Sequence, residues 1–282
     1  MRYAYLPLDT PWSQSQTAGD GKQPGLRAWL LDASPEMPAL RVRPAVIICP
    51  GGGYCMRSDR EAEPIAMRLL AQGIHAFVLE YSVAPARYPT AALELAASVR
   101  LVRQNAEAFG IQPDQIFIMG FSAGGHLCAT LGTLWDTPVF AQALGQGAGK
   151  DWRPDGMLLC YPVITMGAYT HQGSRDNLLG ADAPAARCVA LSLENAVSGS
   201  TVPAFLWHTF EDDAVPVENT LLFATALRKA AVPFELHVYE KGGHGLSLCD
   251  ATTAQGSEHL MPDNANWMAM AIAWIKRHRE AR

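Results

Sequence analysis

Charge is scarce in this chain. Asp, Glu, Lys and Arg make up 17% of its 282 residues, and the balance leaves a net charge of −5. With no positive surplus, nothing draws the protein toward nucleic acid or an anionic lipid surface. The one basic cluster, Lys276-Arg277-His278-Arg279, falls at the end of a predicted helix, where it complements the helix dipole. Apolar runs of membrane-spanning length, about 20 residues, are missing, so no bilayer crossing is expected. The opening Met1-Arg2-Tyr3-Ala4-Tyr5-Leu6-Pro7 has no long apolar stretch and reaches proline early, unlike a secretory leader. None of the six cysteines forms a CxxC pair, which argues against zinc and redox chemistry. Several lie inside apolar runs, as in Ile47-Ile48-Cys49 and Leu158-Leu159-Cys160, and read as buried core thiols of a cytoplasmic protein. Repeats, low-complexity tracts and linkers are also missing, so residues 1–282 are expected to form one catalytic domain. Hydrophobic residues reach 49%, enough for a substantial core.

What is present is an alternation of short apolar runs with longer helical patterns, the mark of a mostly parallel sheet flanked by helices. Strands are predicted at 45–49, 75–80, 115–120, 156–161, 204–208 and 234–239, most of them apolar throughout, as strands covered on both faces must be. A further strand at 26–31, after a Gly/Gln/Ser-rich stretch at 14–25, is assigned to a sheet edge. Helices are predicted at 61–72 and 90–109, each closed by a glycine, then directly after Ser122, and at 218–231 and 264–278. Two segments, 136–154 and 166–200, break the alternation. They are read as short insertions over the carboxyl edge of the sheet that shape the pocket, because open α/β sheets bind ligands at that edge. No large lid is expected.

Gly120-Phe121-Ser122-Ala123-Gly124 has the form GxSxG. The string alone is modest evidence in a glycine-rich chain, so its setting matters. It follows the apolar run Ile116-Phe117-Ile118-Met119 and opens a helical pattern, the strand–turn–helix context in which a serine is held out as a nucleophile. Small residues two before and two after the serine relieve crowding at the sharp turn. The following helix points its first amides at a developing oxyanion.

A serine nucleophile needs a base and an acid to orient that base. His244, in Gly242-Gly243-His244-Gly245-Leu246 just past the last predicted strand, is the candidate base. His75, His237 and His278 read as core or surface residues, His208 as a residue shaping the acid loop, and His126 as a packed helix residue. The acid lies in Glu211-Asp212-Asp213-Ala214-Val215-Pro216. Asp212 has the Asp-x-x-Val-Pro spacing, Asp213 is the runner-up and Glu211 the third choice. Pro50-Gly51-Gly52-Gly53-Tyr54 follows an early strand, where backbone amides reach an oxyanion. Gly52, Gly53 and Ala123 are the expected donors. A phosphate-cradling loop would require a Lys-Ser/Thr pair where Tyr54-Cys55 stands.

With these strings, and with Tyr81-Ser82-Val83-Ala84-Pro85, Tyr161-Pro162-Val163-Ile164, Gly173-Ser174-Arg175-Asp176-Asn177-Leu178-Leu179-Gly180 and Leu206-Trp207-His208-Thr209, the chain resembles the esterase/lipase branch of the α/β-hydrolases related to hormone-sensitive lipase. It looks most like bacterial acetyl esterases and acetylxylan esterases. The resemblance covers about residues 45 to 250, and Pro50 stands where the family usually has histidine. It implies an α/β-hydrolase fold and cleavage of small or sugar-linked acetyl esters, with no cofactor and no metal. The expected partner is a small-molecule ester, with no nucleic acid and no membrane. A homo-oligomer is compatible with the sequence. Tyr54, His171, Arg175 and Asn177 are candidate pocket residues, the last three either contacting a hydroxylated leaving group or bracing the 166–200 insertion. An amidase, formamidase or small peptidase with the same three residues is the alternative, followed by a non-catalytic binding protein.

Overall fold

The computed structural model describes residues 1–8, 23–145 and 149–280. Its centre is a sheet of eight strands: β1 (Arg2–Pro7), β2 (Gly25–Leu30), β3 (Arg43–Cys49), β4 (His75–Glu80), β5 (Ile111–Phe121), β6 (Gly156–Cys160), β7 (Ala204–Thr209) and β8 (Phe234–Tyr239). They run in the order β1-β2-β4-β3-β5-β6-β7-β8. β1 and β2 are antiparallel to their neighbours, and all pairings from β4 to β8 are parallel. This is the α/β-hydrolase arrangement expected from the sequence. The strand predicted at 26–31 is displaced from the edge, because β1 pairs along its outer side. β1 escaped detection because it is amphipathic rather than apolar: Tyr3 and Tyr5 stay exposed, and only alternate residues meet the sheet's inner surroundings. Most of the 14–25 stretch lies outside the described residues.

Nine helices pack among the described residues: α1 (Glu63–Leu70), α2 (Thr90–Gln104), α3 (Ala106–Phe109), α4 (Ala123–Leu134), α5 (Pro138–Leu144), α6 (Gln172–Leu179), α7 (Ala185–Ala190), α8 (Glu218–Lys229) and α9 (Trp267–Glu280). The helix expected at 90–109 is broken at Asn105, whose side chain donates back to the Leu101 carbonyl instead of letting the helix continue. Alternating strand residues feed two cores. Ala45, Ile47, Ile116, Ile118, Leu159 and Leu206 face α2, α4 and α8, while Val46, Ile48, Phe117, Met119, Phe205 and Trp207 face α1 and α9. On the second face Trp207 stacks on Trp267 with ring centroids 5.1 Å apart.

The two insertions go to opposite ends of the sheet. Segment 166–200, which carries α6 and α7, lies over the carboxyl edge, where Leu193 N–H bonds to Ile164 O and Tyr88 N–H to Leu178 O. Segment 136–154 does not, and the expectation that it shapes the pocket is corrected. Its described residues sit at the amino edge, where Arg103 donates to Lys150 O and Asp151 O, and Asp155 N–H bonds to Ile116 O. The cause is connectivity. α4 starts at the carboxyl edge and carries the chain back across the sheet, so whatever follows it lies at the far end. Residues 146–148 of this segment lie outside the described ones.

Two buried histidines stitch distant segments and must remain neutral to do so. His75 Nδ1 accepts from Leu31 N–H at 3.1 Å, and its Nε2 donates to Gly110 O at 3.2 Å. His126 Nδ1 accepts from Tyr54 O–H at 3.0 Å, and its Nε2 donates to Leu191 O at 3.0 Å. Burial pushes both imidazoles down from the usual value to about 4. The unfolded chain takes up these protons near pH 6.5, whereas the native state refuses them until about 4. Stability is therefore complete above pH 6.5 and is lost progressively as pH falls toward 4. The expected loss between pH 7 and pH 5 is roughly 2 kcal/mol per histidine, read by urea unfolding. A stability that stays flat over that interval would contradict this.

Candidate active site

Ser122 occupies the turn between β5 and α4, with φ 52° and ψ −117°. Such a backbone costs an L-residue on the order of 1–3 kcal/mol and persists only where its surroundings enforce it. Here they do. A Cβ on Gly120 would lie 2.1 Å from Gly124 O, and one on Gly124 would lie 2.1 Å from Cys49 O. Only glycine lets the helix start approach the strands this closely. Ser122 N–H bonds to Cys160 O at 3.0 Å, and Val163 N–H bonds to Ser122 O at 3.1 Å, tying the turn to the end of β6.

The loop after β8 brings His244 to this serine. Its Nε2 is 2.8 Å from Ser122 Oγ, and its Nδ1 is 2.7 Å from Asp212 Oδ2. The carboxylate accepts the hydrogen bond from Nδ1–H, which leaves Nε2 as an acceptor facing the hydroxyl. Of the three adjacent acids, the structure places Asp212 on the histidine. Asp213 is exposed, and Glu211 binds Lys241 Nζ and Gly242 N–H, fixing the start of the loop that carries His244. Burial by itself raises the Asp212 pKa. Hydrogen bonds from His208 and His244, and from the backbone of Val215, outweigh that effect and hold the carboxyl well below the usual range. His208 shapes the acid loop, as expected from the sequence. Its Nε2 lies 2.9 Å from Val215 O and 3.2 Å from Asp212 Oδ2, two acceptors, so Nε2 carries the proton, and Nδ1 accepts from Thr220 O–H at 2.7 Å.

On the other side of Ser122 runs the loop 50–54. Each of four residues in it is held by a side chain from elsewhere. Tyr81 O–H donates to Pro50 O at 2.6 Å, Glu61 accepts Gly51 N–H at 2.8 Å, Asn177 Nδ2 donates to Gly53 O at 2.9 Å, and Tyr54 O–H bonds to His126. The Tyr81 contact anchors the start of the loop at Pro50. A Cβ on Gly51 would meet Ser122 Cβ at 3.0 Å, so the loop lies directly against this serine. The amides of Gly52, Gly53 and Ala123 donate to no acceptor among the described residues.

Of the candidate pocket residues, Tyr54 is corrected. It is 3% exposed, with its hydroxyl spent on His126, so it supports the loop from beneath instead of lining open space. Asn177 braces Gly53, and Arg175 pairs with its neighbour Asp176 at 3.4 Å. His171 caps α6, with Nδ1 accepting from Ser174 N–H at 3.2 Å, so the neutral ring bears its proton on Nε2. Partial burial, and then the charge of His244, lower its pKa, whereas Asp212 raises it, which places the ring in the field of that pair. Sequence reasoning passed over Glu61, Tyr81 and Tyr161. Glu61 opened the helix predicted at 61–72, and the tyrosines stood in strings that carry the family resemblance, with no role of their own. No group of three or more His, Cys, Asp or Glu suited to holding a metal occurs among the described residues, and no helix among them is long and apolar enough to cross a membrane.

A BD-FAE family model matches residues 34–227. The chain belongs to the BD-FAE family, within the esterase/lipase α/β-hydrolases. Among solved structures, this BD-FAE chain is similar to the acetyl ester-xyloside bifunctional hydrolase from Caldicellulosiruptor lactoaceticus, with 37% identity, a TM-score of 0.84, and coverage of 98% of this chain and 96% of that one. It is 41% identical over 219 residues to endo-1,4-beta-xylanase B of Butyrivibrio fibrisolvens, covering 74% of this chain and 33% of the relative. Acetylxylan esterase of Xylanibacter ruminicola is 32% identical over 240 residues, covering 83% and 46%. The chain thus spans a third to a half of the length of these two curated relatives.

The choice among the acids is open to direct measurement. Asp212→Asn should slow labelling of Ser122 by a fluorophosphonate roughly a thousandfold, because the amide favours the wrong imidazole tautomer. Asp213→Asn should leave the rate within about twofold, as expected for an exposed carboxylate. The reverse ranking would move the acid to Asp213.

Proposed function

We propose that this protein is a serine carboxylesterase that hydrolyses short-chain esters, acetyl esters of sugars or oligosaccharides among them, through Ser122, His244 and Asp212. The observation that carries this reading is the continuous line Asp212–His244–Ser122, at 2.7 and 2.8 Å, facing three uncommitted amides. Its relatives named as an acetylxylan esterase and an acetyl ester-xyloside hydrolase favour the acetylated-sugar part.

In the proposed reaction, Ser122 Oγ attacks the ester carbonyl while its proton passes to His244 Nε2. Asp212 holds the imidazole tautomer and stabilises the imidazolium that forms. The carbonyl oxygen, now negative, takes hydrogen bonds from Gly52, Gly53 and Ala123, each worth roughly 3 kcal/mol in the transition state. His244 then delivers the proton to the leaving alcohol. Water, deprotonated by the same histidine, releases the acid from the acyl-enzyme. These steps use the chain's own residues throughout, within one catalytic unit acting on a small-molecule ester. His171, with its Nε2 proton free of the α6 cap, is placed to donate to a hydroxyl of the leaving group. The short polar segment that carries it favours small acyl groups over long chains.

Ser122→Ala should abolish hydrolysis of p-nitrophenyl acetate, and wild-type protein should cleave acetyl esters faster than hexanoyl or octanoyl esters. Faster cleavage of the longer esters would refute the short-acyl part, and preference for the matching anilide over the acetyl ester would favour an amidase. His171→Ala should raise KM for acetylated xylo-oligosaccharides about tenfold, the scale of one lost hydrogen bond, with little change for p-nitrophenyl acetate. Equal effects on both substrates would remove His171 from sugar recognition.

A further inference from the structure

Glu61 and Tyr161 take no part in the proposed proton relay, yet they join two of its components. Glu61 is buried in the turn that precedes α1. Its Oε2 accepts the Gly51 N–H at 2.8 Å, and its Oε1 accepts the Tyr161 O–H at 2.6 Å. The Tyr161 oxygen in turn accepts the Ser247 N–H at 3.0 Å. Gly51 opens the loop that presents the free amides, and Ser247 lies on the loop that carries His244, three residues beyond it. Tyr161 itself follows β6 directly, with its ring edge-on to the His244 ring at 5.2 Å between centroids.

An unbroken buried line, Gly51–Glu61–Tyr161–Ser247, therefore runs behind the nucleophile from the amide donors to the base. Each link is directional and shielded from water, so displacing one loop strains or breaks a bond that the interior cannot replace. Burial raises the pKa of the phenol, which keeps the proton that Glu61 accepts. The backbone on both sides is held under tension: Tyr161 has φ 38° and Ser247 φ 54°. Strained residues of this kind stay in place only when several contacts hold them.

We infer that Glu61 and Tyr161 are positioning residues, which hold the oxyanion loop and the base loop at one mutual spacing. With that spacing kept, the carbonyl oxygen reaches the amides of Gly52, Gly53 and Ala123 while Ser122 Oγ stays within hydrogen-bond reach of His244. Neither residue touches a reacting atom. The inference rests on the esterase reading above.

Tyr161→Phe deletes one oxygen and keeps the ring that packs on His244 and Trp207. Glu61→Gln keeps the shape but exchanges one of two needed acceptors for a donor. With p-nitrophenyl acetate, each variant should lower kcat at least about tenfold while KM stays within about twofold, because the misplaced groups act on the transition state more than on bound substrate. The double variant should lose about as much as the worse single variant, since both cut one line. Thermal unfolding, run alongside, confirms that the variants are folded at the assay temperature. A kcat for Tyr161→Phe close to wild type overturns the inference, as do losses that multiply in the double variant. If Glu61→Gln does not fold, Tyr161→Phe decides alone. Wild type and Ser122→Ala, measured in parallel, separate the two readings. Activity that vanishes with Ser122 but survives Tyr161→Phe removes only the positioning role, whereas an inactive wild type removes the esterase reading.

Discussion

The left-handed backbone at Ser122 is the constraint around which the carboxyl edge is arranged. At φ 52° the serine is lifted off the end of β5, and the turn closes only because Gly120 and Gly124 let backbone meet backbone without an intervening Cβ. The same close approach brings Cys49 at the end of β3 against α4, so the loop after β3 is delivered beside Ser122. Bonds from Ser122 to Cys160 and Val163 fix the exit of β6. Three strand ends are thus brought to one point by a single strained residue, and the loops that follow them supply the amides and the supporting side chains.

Around that point several buried polar side chains act as ties between loops. Asn219 accepts from the amides of Ile164 and Thr165 and donates to Tyr169 O and Pro216 O, using its whole side chain to join the exit of β6 to the start of α8. Glu94 on α2 takes both the amide and the hydroxyl of Ser82, after β4. His126 joins α4, the loop 50–54 and the segment 166–200. A parallel sheet leaves its connecting loops with backbone groups that pair with no strand, and buried groups of this kind must find partners. Side chains that meet this need also set where each loop sits, so stability and site geometry have a common source.

The BD-FAE chain was legible in its sequence to an uneven degree. Strands β3 to β8 could be read because most are apolar runs bounded by turn residues, and Ser122 and His244 because each sits in a glycine setting that has few other uses. β1 could not be read, since an exposed, alternating edge strand differs little from a polar terminus. Tyr54 was misjudged because a tyrosine beside three glycines looks open to a ligand, and only the packing of α4 beneath it reveals the partner for its hydroxyl. The end of the sheet reached by 136–154 depends on the length and direction of α4, which local composition does not record.

The order of the elements and the settings of Ser122 and His244 were thus determined along the chain, because strand–turn–helix chemistry and glycine placement are local. Which of Glu211, Asp212 and Asp213 meets His244 was decided in three dimensions. The spacing to Val215-Pro216 had ranked Asp212 first, and the turn after β7 aims that carboxylate inward while Asp213 remains in solvent. The roles of Glu61, Tyr81 and Tyr161 were also decided in three dimensions. Their roles arise from hydrogen bonds across separations as large as that between Glu61 and Tyr161, where the packed sheet sets which donor faces which acceptor.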